Sequence, residues 1–474
     1  MNDSLLNFLK AKQILVMPDE SADERMQLWL QWYKGKVDKF HEYKVYTGKE
    51  TKKVKRKTLN MPSRVCQKWT DLLLNEKVEI NVENEKITEF LRNVLTDSNF
   101  YVRGNNLIER AFALGGGYLV EYFDGRKVKL KYISQEMMYP ITYDSGRLIE
   151  CAFVSQKTVK KKKYYYIEVH KLDDDGKYVI ENILGEIQDK GIVEATEDIY
   201  EVLDIEREII TNSDIPTFQK IAPNISNRED FNSAYGVSVF SGAEDICETI
   251  DIIFDSYSKE FILGKKRLFV EDSVSNVNWD KDGNPIKVFD PNDEVFYSVP
   301  QNEEKGQPIT ESNMSLRVAE HDQAMQTQLN LLSEKVGLGP NAFKWEDGNV
   351  TTATQVISEN SEMYRTLKKH ELVLNDALIG MVKGLIVINN LFGKEKLSTD
   401  VDISINFDDS IIEDTAEQQR RALLELNVGL ISKIQYYKDV YKMTDEQAKE
   451  YFKKMQEQIA QEQPPVEEEP DAEV

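Results

Sequence analysis

The sequence predicts an α+β chain: a mixed helical and sheet region, two long helices with a small β-rich insert between them, a longer spine helix, and a terminal group of helices. Three observations carry this. From Gly115 to about Gly191 the apolar spacing changes from the helical 3.6 to the strand value of 2. Helical periodicity then stands on both sides of a stretch, 267–312, rich in β-formers and turns. Finally, the breaker VGLGPNAFKWEDGNV at 336–350 separates a helix of ordinary length from an amphipathic pattern running from residue 353 to about 392.

Taken in chain order, Ser21 and Glu24 form a capping-box pattern ahead of an apolar stripe of Met26, Trp29, Leu30 and Trp32 with Tyr33. TKKVKRK at 51–57, with Arg64 and Lys68 beyond, is the densest positive run; a solvated loop or an acidic intersubunit contact competes there with direct phosphate contact. Residues 61–76 and 85–114 have helical spacing, the second broken between Asn99 and Gly104. An antiparallel meander follows. YLVEYF, KVKLKYI, CAFVSQKTV, KKYYYIEVHKL and KYVIENIL alternate apolar with polar residues, with Asp-Gly turns at 124–125 and 175–176. Asp173, Asp174, Asp175 and Gly176 invite a calcium loop, but Lys171 and Asn182 stand where its first and last carboxylates belong, so a hairpin is expected.

Residues 239–263 read as a helix with Ile246, Ile250, Ile253, Tyr257 and Phe261 on one stripe, stopping at Gly264. In the insert, RLFVEDSVS, IKVFDP and EVFYSVP read as strands around the turn DKDGNP. Asn278, Asp280, Asp282 and Gly283 again match part of a calcium loop, yet Phe289 takes the place of its last carboxylate, so a hairpin is expected here too. Helical spacing returns near 314, with Met325, Leu329, Leu332 and Val336 on one stripe. Past the breaker, Thr351 or Thr352 is placed to cap the spine helix, whose stripe is Met363, Leu367, His370, Leu374, Leu378, Met381, Leu385 and Ile388. At 1.5 Å per residue this rod is roughly 57 Å long. LSTDVDISINFDDSI at 397–411 has a strand pattern, and three short helices follow: Gly429 ends the first, Ser432 caps the second, and Thr444 with Gln447 caps the third. The end, 457–474, is acidic and proline-containing and is expected to be a disordered tail.

Composition excludes several functions. The 474 residues carry 83 Asp+Glu against 60 Lys+Arg, a formal charge of −23, whereas a tight nonspecific nucleic-acid binder needs an excess of bases. Cys66, Cys151 and Cys247 are too few and too scattered for a disulfide framework or a zinc site. The N-terminus lacks the basic start of a secretion signal, and the most apolar helical stretch, 377–388 around Lys383, is too short to span a bilayer. No membrane partner is expected. The P-loop, the G-x-S-x-G elbow, H-E-x-x-H and a spaced G-x-G-x-x-G are all absent from the sequence. His370 sits on an apolar stripe as a core histidine would, and His321 among polar faces suggests a solvated one. Asp402, Asp408, Asp409, Glu413 and Asp414 are the one carboxylate cluster a two-metal nuclease would use, but acids that end a strand and open a helix are more simply caps. No catalytic residue, metal or cofactor is assigned.

The order of elements, with the segments MPSRVCQKWTDLLLNEKVEI (61–80), NNLIERAFALGGGYLVEYFDG (105–125), GLGPNAFKWEDGNVTTATQVISENSEMYRTLKKH (337–370) and INFDDSIIEDTAEQ (405–418), resembles the portal proteins of tailed bacteriophages, in particular those of siphophages infecting Gram-positive bacteria. The resemblance implies a homo-oligomeric ring, usually a dodecamer, at one capsid vertex of the virion, assembled in the host cytoplasm with capsid and scaffold proteins. Double-stranded DNA passes through the ring nonspecifically, driven by the terminase large subunit, and head-completion connectors dock on it. It further implies a wing at 1–235, a first stem helix at 236–266, a clip at 267–312, a second stem helix at 313–336 and a tunnel loop at 337–352. A long helix and wing strand occupy 353–410, a crown 411–456 and the tail 457–474.

On that scheme Gly337, Gly339, Pro340, Asn341, Lys344, Trp345 and Asn349 belong to the channel loop, hinged at both ends, and Lys265, Lys266 and Arg267 face the channel or an acidic neighbour. Glu346 and Asp347 make the loop net negative, which favours steric tracking of DNA over an electrostatic grip. A reading from another class is an intracellular scaffold or adaptor with no channel.

Overall fold

The computed structural model describes residues 3–46, 50–74, 78–264, 267–271, 278–279, 281–282, 285–286, 296–299, 309–312, 314–344, 353–407, 415–441, 443 and 445–462. The chain forms two compact units, 1–407 and 408–474.

The first unit opens with α1 (Asp3–Ala11) and α2 (Glu20–Tyr33). No helix was expected before Ser21, yet Leu5, Phe8 and Leu9 recur at helical spacing, and α1 holds because the main sheet covers them. The cap of α2 is Asp19, not Ser21: its carboxylate accepts the N–H groups of Ser21 and Ala22 and adds negative charge at the positive helix end. An antiparallel ribbon of β1 (Glu42–Tyr46) and β2 (Thr51–Lys55) follows, then α3 (Met61–Leu73), β3 (Glu79–Val82), α4 (Glu85–Asp97) and α5 (Phe100–Leu114). The break between α4 and α5 lies at Ser98 and Asn99, the latter left-handed at φ 50°. Gly104 belongs to α5 instead, where Leu74 and Phe100 pack against its bare Cα.

The meander divides into two sheets. β4 (Gly117–Phe123) pairs on one side with β5 (Val128–Ser134) and on the other with the distant β12 (Phe218–Ile221). β6 (Met138–Asp144), β7 (Arg147–Val159), β8 (Lys162–Leu172), β9 (Tyr178–Gln188) and β10 (Gly191–Glu194) form the larger one in simple antiparallel order. After α6 (Glu197–Leu203), β11 (Glu208–Ile210) also joins β9. Both faces of the large sheet are covered: Ala152 and Val154 of β7 meet α1, while Cys151 and Phe153 meet Tyr118 and Phe218. The acidic turn is a hairpin, with Asp173 accepting the N–H groups of Asp175 and Lys177 at 3.0 and 2.7 Å.

α7 (Glu244–Leu263) begins five residues later than its apolar spacing suggests, because Gly242 is left-handed at φ 75°. Its buried side carries Cys247 and Ile250 together with Asp251 and Asp255, whereas Phe261 of the expected stripe is 44% exposed. In the insert, β13 (Arg267–Glu271) is the centre of a small sheet and β14 (Asn278–Trp279) pairs with β15 (Pro285–Ile286) as the expected hairpin. β16 (Phe296–Val299) joins β13 in parallel and β17 (Ile309–Ser312) joins it antiparallel. α8 (Val318–Lys335) buries Met325, Leu329 and Leu332 as its spacing requires. α9 (Ala353–Phe392), forty residues and roughly 60 Å long, lies on the sheet of β12, β4 and β5 and buries Leu374, Leu378, Met381 and Leu385. Close approach there needs Gly384, since a Cβ would come within 2.9 Å of the Glu121 carboxyl. β18 (Ile403–Asn406) returns to pair with β3.

The second unit holds α10 (Thr415–Val428), α11 (Lys433–Tyr441) and α12 (Asp445–Glu462). Gly429, at φ 78°, stops α10 while Leu430 N–H reaches back to the Glu425 carbonyl, and Ser432 Oγ caps α11 through Gln435 N–H at 3.1 Å. Tyr437 packs on Tyr441 and Tyr451. α12 continues to Glu462, into the range expected to be tail. Thr444, the acidic residues 408, 409, 413 and 414 and the segment 463–474 lie outside the described residues.

Candidate functional site: the break between α8 and α9

α8 ends in a Schellman turn. Gly337, left-handed at φ 76°, donates to the Glu334 carbonyl at 3.1 Å, and Leu338 donates to the Ser333 carbonyl at 2.9 Å. Leu338 is buried, and the Gly337 Cα faces Thr366 of α9 so closely that a Cβ would stand 2.8 Å from its methyl group. Gly339 and Asn341 are also left-handed, at φ 74° and 62°. These residues therefore build a tight stop at this end of the loop.

α3 supplies the floor. Trp69, fully buried, donates its indole N–H to the Val336 carbonyl at 3.2 Å and packs edge-on against His370 of α9 at 4.9 Å. Lys68 beside it donates to the Ala342 carbonyl at 3.0 Å and lies over the Phe343 ring; burial, with help from Arg64, lowers its pKa. Gln326 of α8 donates to the Phe343 carbonyl at 3.1 Å. The chain from 337 to 343 is thus pinned on three helices, and Lys344, directly after it, is exposed. Trp345, Asn349, Thr351 and Thr352 lie outside the described residues.

His370 is the core histidine its stripe suggested. Its Nδ1 accepts Asn224 N–H at 2.9 Å, so Nε2 carries the ring proton, and Phe112 packs on the ring at 5.1 Å. Burial lowers its pKa to about 4, with Lys369 adding to the effect.

At the far end of α7 and α8, where both helices meet the β insert, Glu260 holds Arg317 by two side-chain bonds of 3.1 and 2.9 Å. That guanidinium lowers the Glu260 pKa to about 2. His321, expected to be solvated, is half-buried; it lies edge-on to Tyr257 and 3.9 Å from Glu260. Arg267, half-buried, opens β13 opposite Ser312, while Lys265 and Lys266 lie outside the described residues.

Lys68, Trp69 and Gln326 at this break hold backbone carbonyls, and the arrangement presents a pedestal with a cation at its end. Residues 19–465 match the family described as phage portal protein, SPP1 Gp6-like. The chain belongs to this family of portal proteins. No curated protein matches it in sequence. Portal proteins of this family are structural, in keeping with an absence of catalytic motifs in the sequence. In the portal chain no described helix is long and apolar enough to cross a membrane. Lys68 was read only as part of the positive run, and the roles of Trp69 and Gln326 at the break were not foreseen; the one available signal was Trp69 beside a lysine on an amphipathic helix, which does not name its distant partner.

Proposed function

We propose that the chain is the subunit of a siphophage-type portal ring, a dozen copies surrounding an axial channel at one capsid vertex, through which double-stranded DNA is packaged and later ejected. The family match across residues 19–465 carries this reading. In it, 1–235 with the strand after α9 is the wing, 236–266 and 313–336 the stem, 267–312 the clip, 337–352 the tunnel loop and 411–456 the crown. The terminase large subunit and the head-completion connectors dock on the clip, and capsid and scaffold proteins surround the ring during assembly in the host cytoplasm.

Charge supports a conduit. A phosphate contact made by each copy is multiplied around a ring, so a channel that must release DNA needs few and weak ones; a formal charge of −23 per copy supplies the required reluctance. Lys344, exposed at the end of a rigid pedestal, gives one transient phosphate contact per copy, and Trp345 packs between neighbouring loops or brushes the duplex.

Negative-stain electron microscopy with light scattering tests the ring: holed particles with a mass near a dozen subunits are expected, and a monodisperse dimer overturns the reading in favour of a channel-free adaptor. For the loop, Lys344→Ala and Trp345→Ala should leave rings and procapsids intact but reduce packaged DNA. Normal filling in both removes the loop from the mechanism.

A further inference from the structure

The β1–β2 ribbon carries charge for which the channel has no use. Its register puts Glu42 opposite Lys55, Lys44 opposite Lys53 and Tyr46 opposite Thr51, so these six side chains share one face. Lys44, Lys53 and Lys55 are exposed, and none of them forms an ion pair among the described residues. Two lysines directly opposite each other weaken a strand pair, an arrangement that an anionic partner would relieve.

The arm is rigid at its root. Arg56 stacks on Phe40 and Tyr43, 4.0 and 5.0 Å from the ring centres, and donates to the Phe40 carbonyl at 2.9 Å. The backbone N–H groups of Lys57 and Leu59 donate to Asp255 and Asp251 of α7 at 3.2 and 2.8 Å. His41 accepts Val37 N–H at Nδ1, which leaves Nε2 to donate to Asp251 at 2.9 Å. Two buried aspartates of α7 therefore clamp the ribbon's end, and binding need not order it.

We propose that this ribbon is an intersubunit arm, and that Lys44, Lys53 and Lys55 dock on an acidic surface of a second copy of this chain. The proposal rests on the ring reading above. The occupant follows from charge and surface composition. Copies of net charge −23 repel when set side by side, and a concentrated positive arm is what turns a neighbour's negative surface into an attraction. Tyr46, 70% exposed, shares the lysine face; aromatic surface suits a protein interface, whereas phosphate contact does not require it.

The test uses full-length chain, half of it labelled with heavy nitrogen, assembled and treated with a zero-length carboxyl-to-amine crosslinker. Mixed-label crosslinks from Lys44, Lys53 or Lys55 to aspartates or glutamates of another copy are expected. K44E/K53E/K55E should lower ring yield about tenfold at low salt, K44Q/K53Q/K55Q should lower it less, and both should keep wild-type circular dichroism. Wild-type ring yield in the Glu variant, with no mixed-label crosslink from these lysines, overturns the arm while leaving the ring reading intact. Loss of duplex DNA retention at unchanged ring yield overturns it in favour of a nucleic-acid contact. A wild-type chain that never assembles overturns the ring reading, and the arm with it.

Discussion

The face of α3 that carries Lys68 and Trp69 and the ribbon that carries Lys44, Lys53 and Lys55 are close in sequence and treat positive charge in opposite ways. On α3 the ammonium is drawn down onto a backbone carbonyl, beside an indole that holds the end of α8. On the ribbon three ammonium groups stand in solvent around an anchored root. A lysine near a buried aromatic surface thus becomes a structural donor, whereas a lysine on an open strand face stays available to a partner. The same residue type in one basic stretch is sorted by what packs beneath it.

The largest expected effect falls on the buried side. Trp69→Ala removes a fully buried ring, the donor to Val336 and the edge contact with His370, and should cost about 3–5 kcal/mol in urea unfolding. A loss no greater than that of an exposed ribbon substitution would erase the contrast. Next comes His370. Its folded pKa, lowered to about 4 from 6.5, means that the neutral ring stabilises the fold above about pH 6.5 and that this stability is lost as pH falls towards 4. The shift corresponds to at most about 3 kcal/mol, so His370→Gln should flatten the acid side of the stability curve over that interval. Curves of equal slope for variant and wild type would show that the ring is not held neutral.

The smallest effect is Lys68→Met. It keeps the packed stem but withdraws the donor from Ala342, so global stability should change by less than about 1 kcal/mol, while amide exchange at residues 341–344 should rise. Unchanged exchange would place Lys68 with the ribbon lysines and not with Trp69.

Much of the architecture was legible. The α8 stripe of Met325, Leu329 and Leu332 is buried as its spacing of three and four demands, Ser432 caps α11, and the Asp173 turn closes a hairpin, because each is decided within a few residues. The misreadings have long-range causes. The expected stripe of α7 included neither Asp251 nor Asp255, and both are buried because the ribbon's backbone, roughly two hundred residues earlier, brings them N–H donors. Gly337 and Gly339 stand in left-handed turns, a conformation that composition alone does not announce.

By itself the sequence determined the periodicities, the caps and stops, the negative balance of charge and the four segments that carry the portal resemblance, all of which reside in local spacing or in composition. Only the tertiary structure decided which charges are spent inside. Lys68 on Ala342, His41 on Asp251 and His370 beneath Trp69 join residues far apart along the chain. Whether a lysine or a histidine keeps its water depends on desolvation by those distant neighbours, a quantity that no local pattern contains.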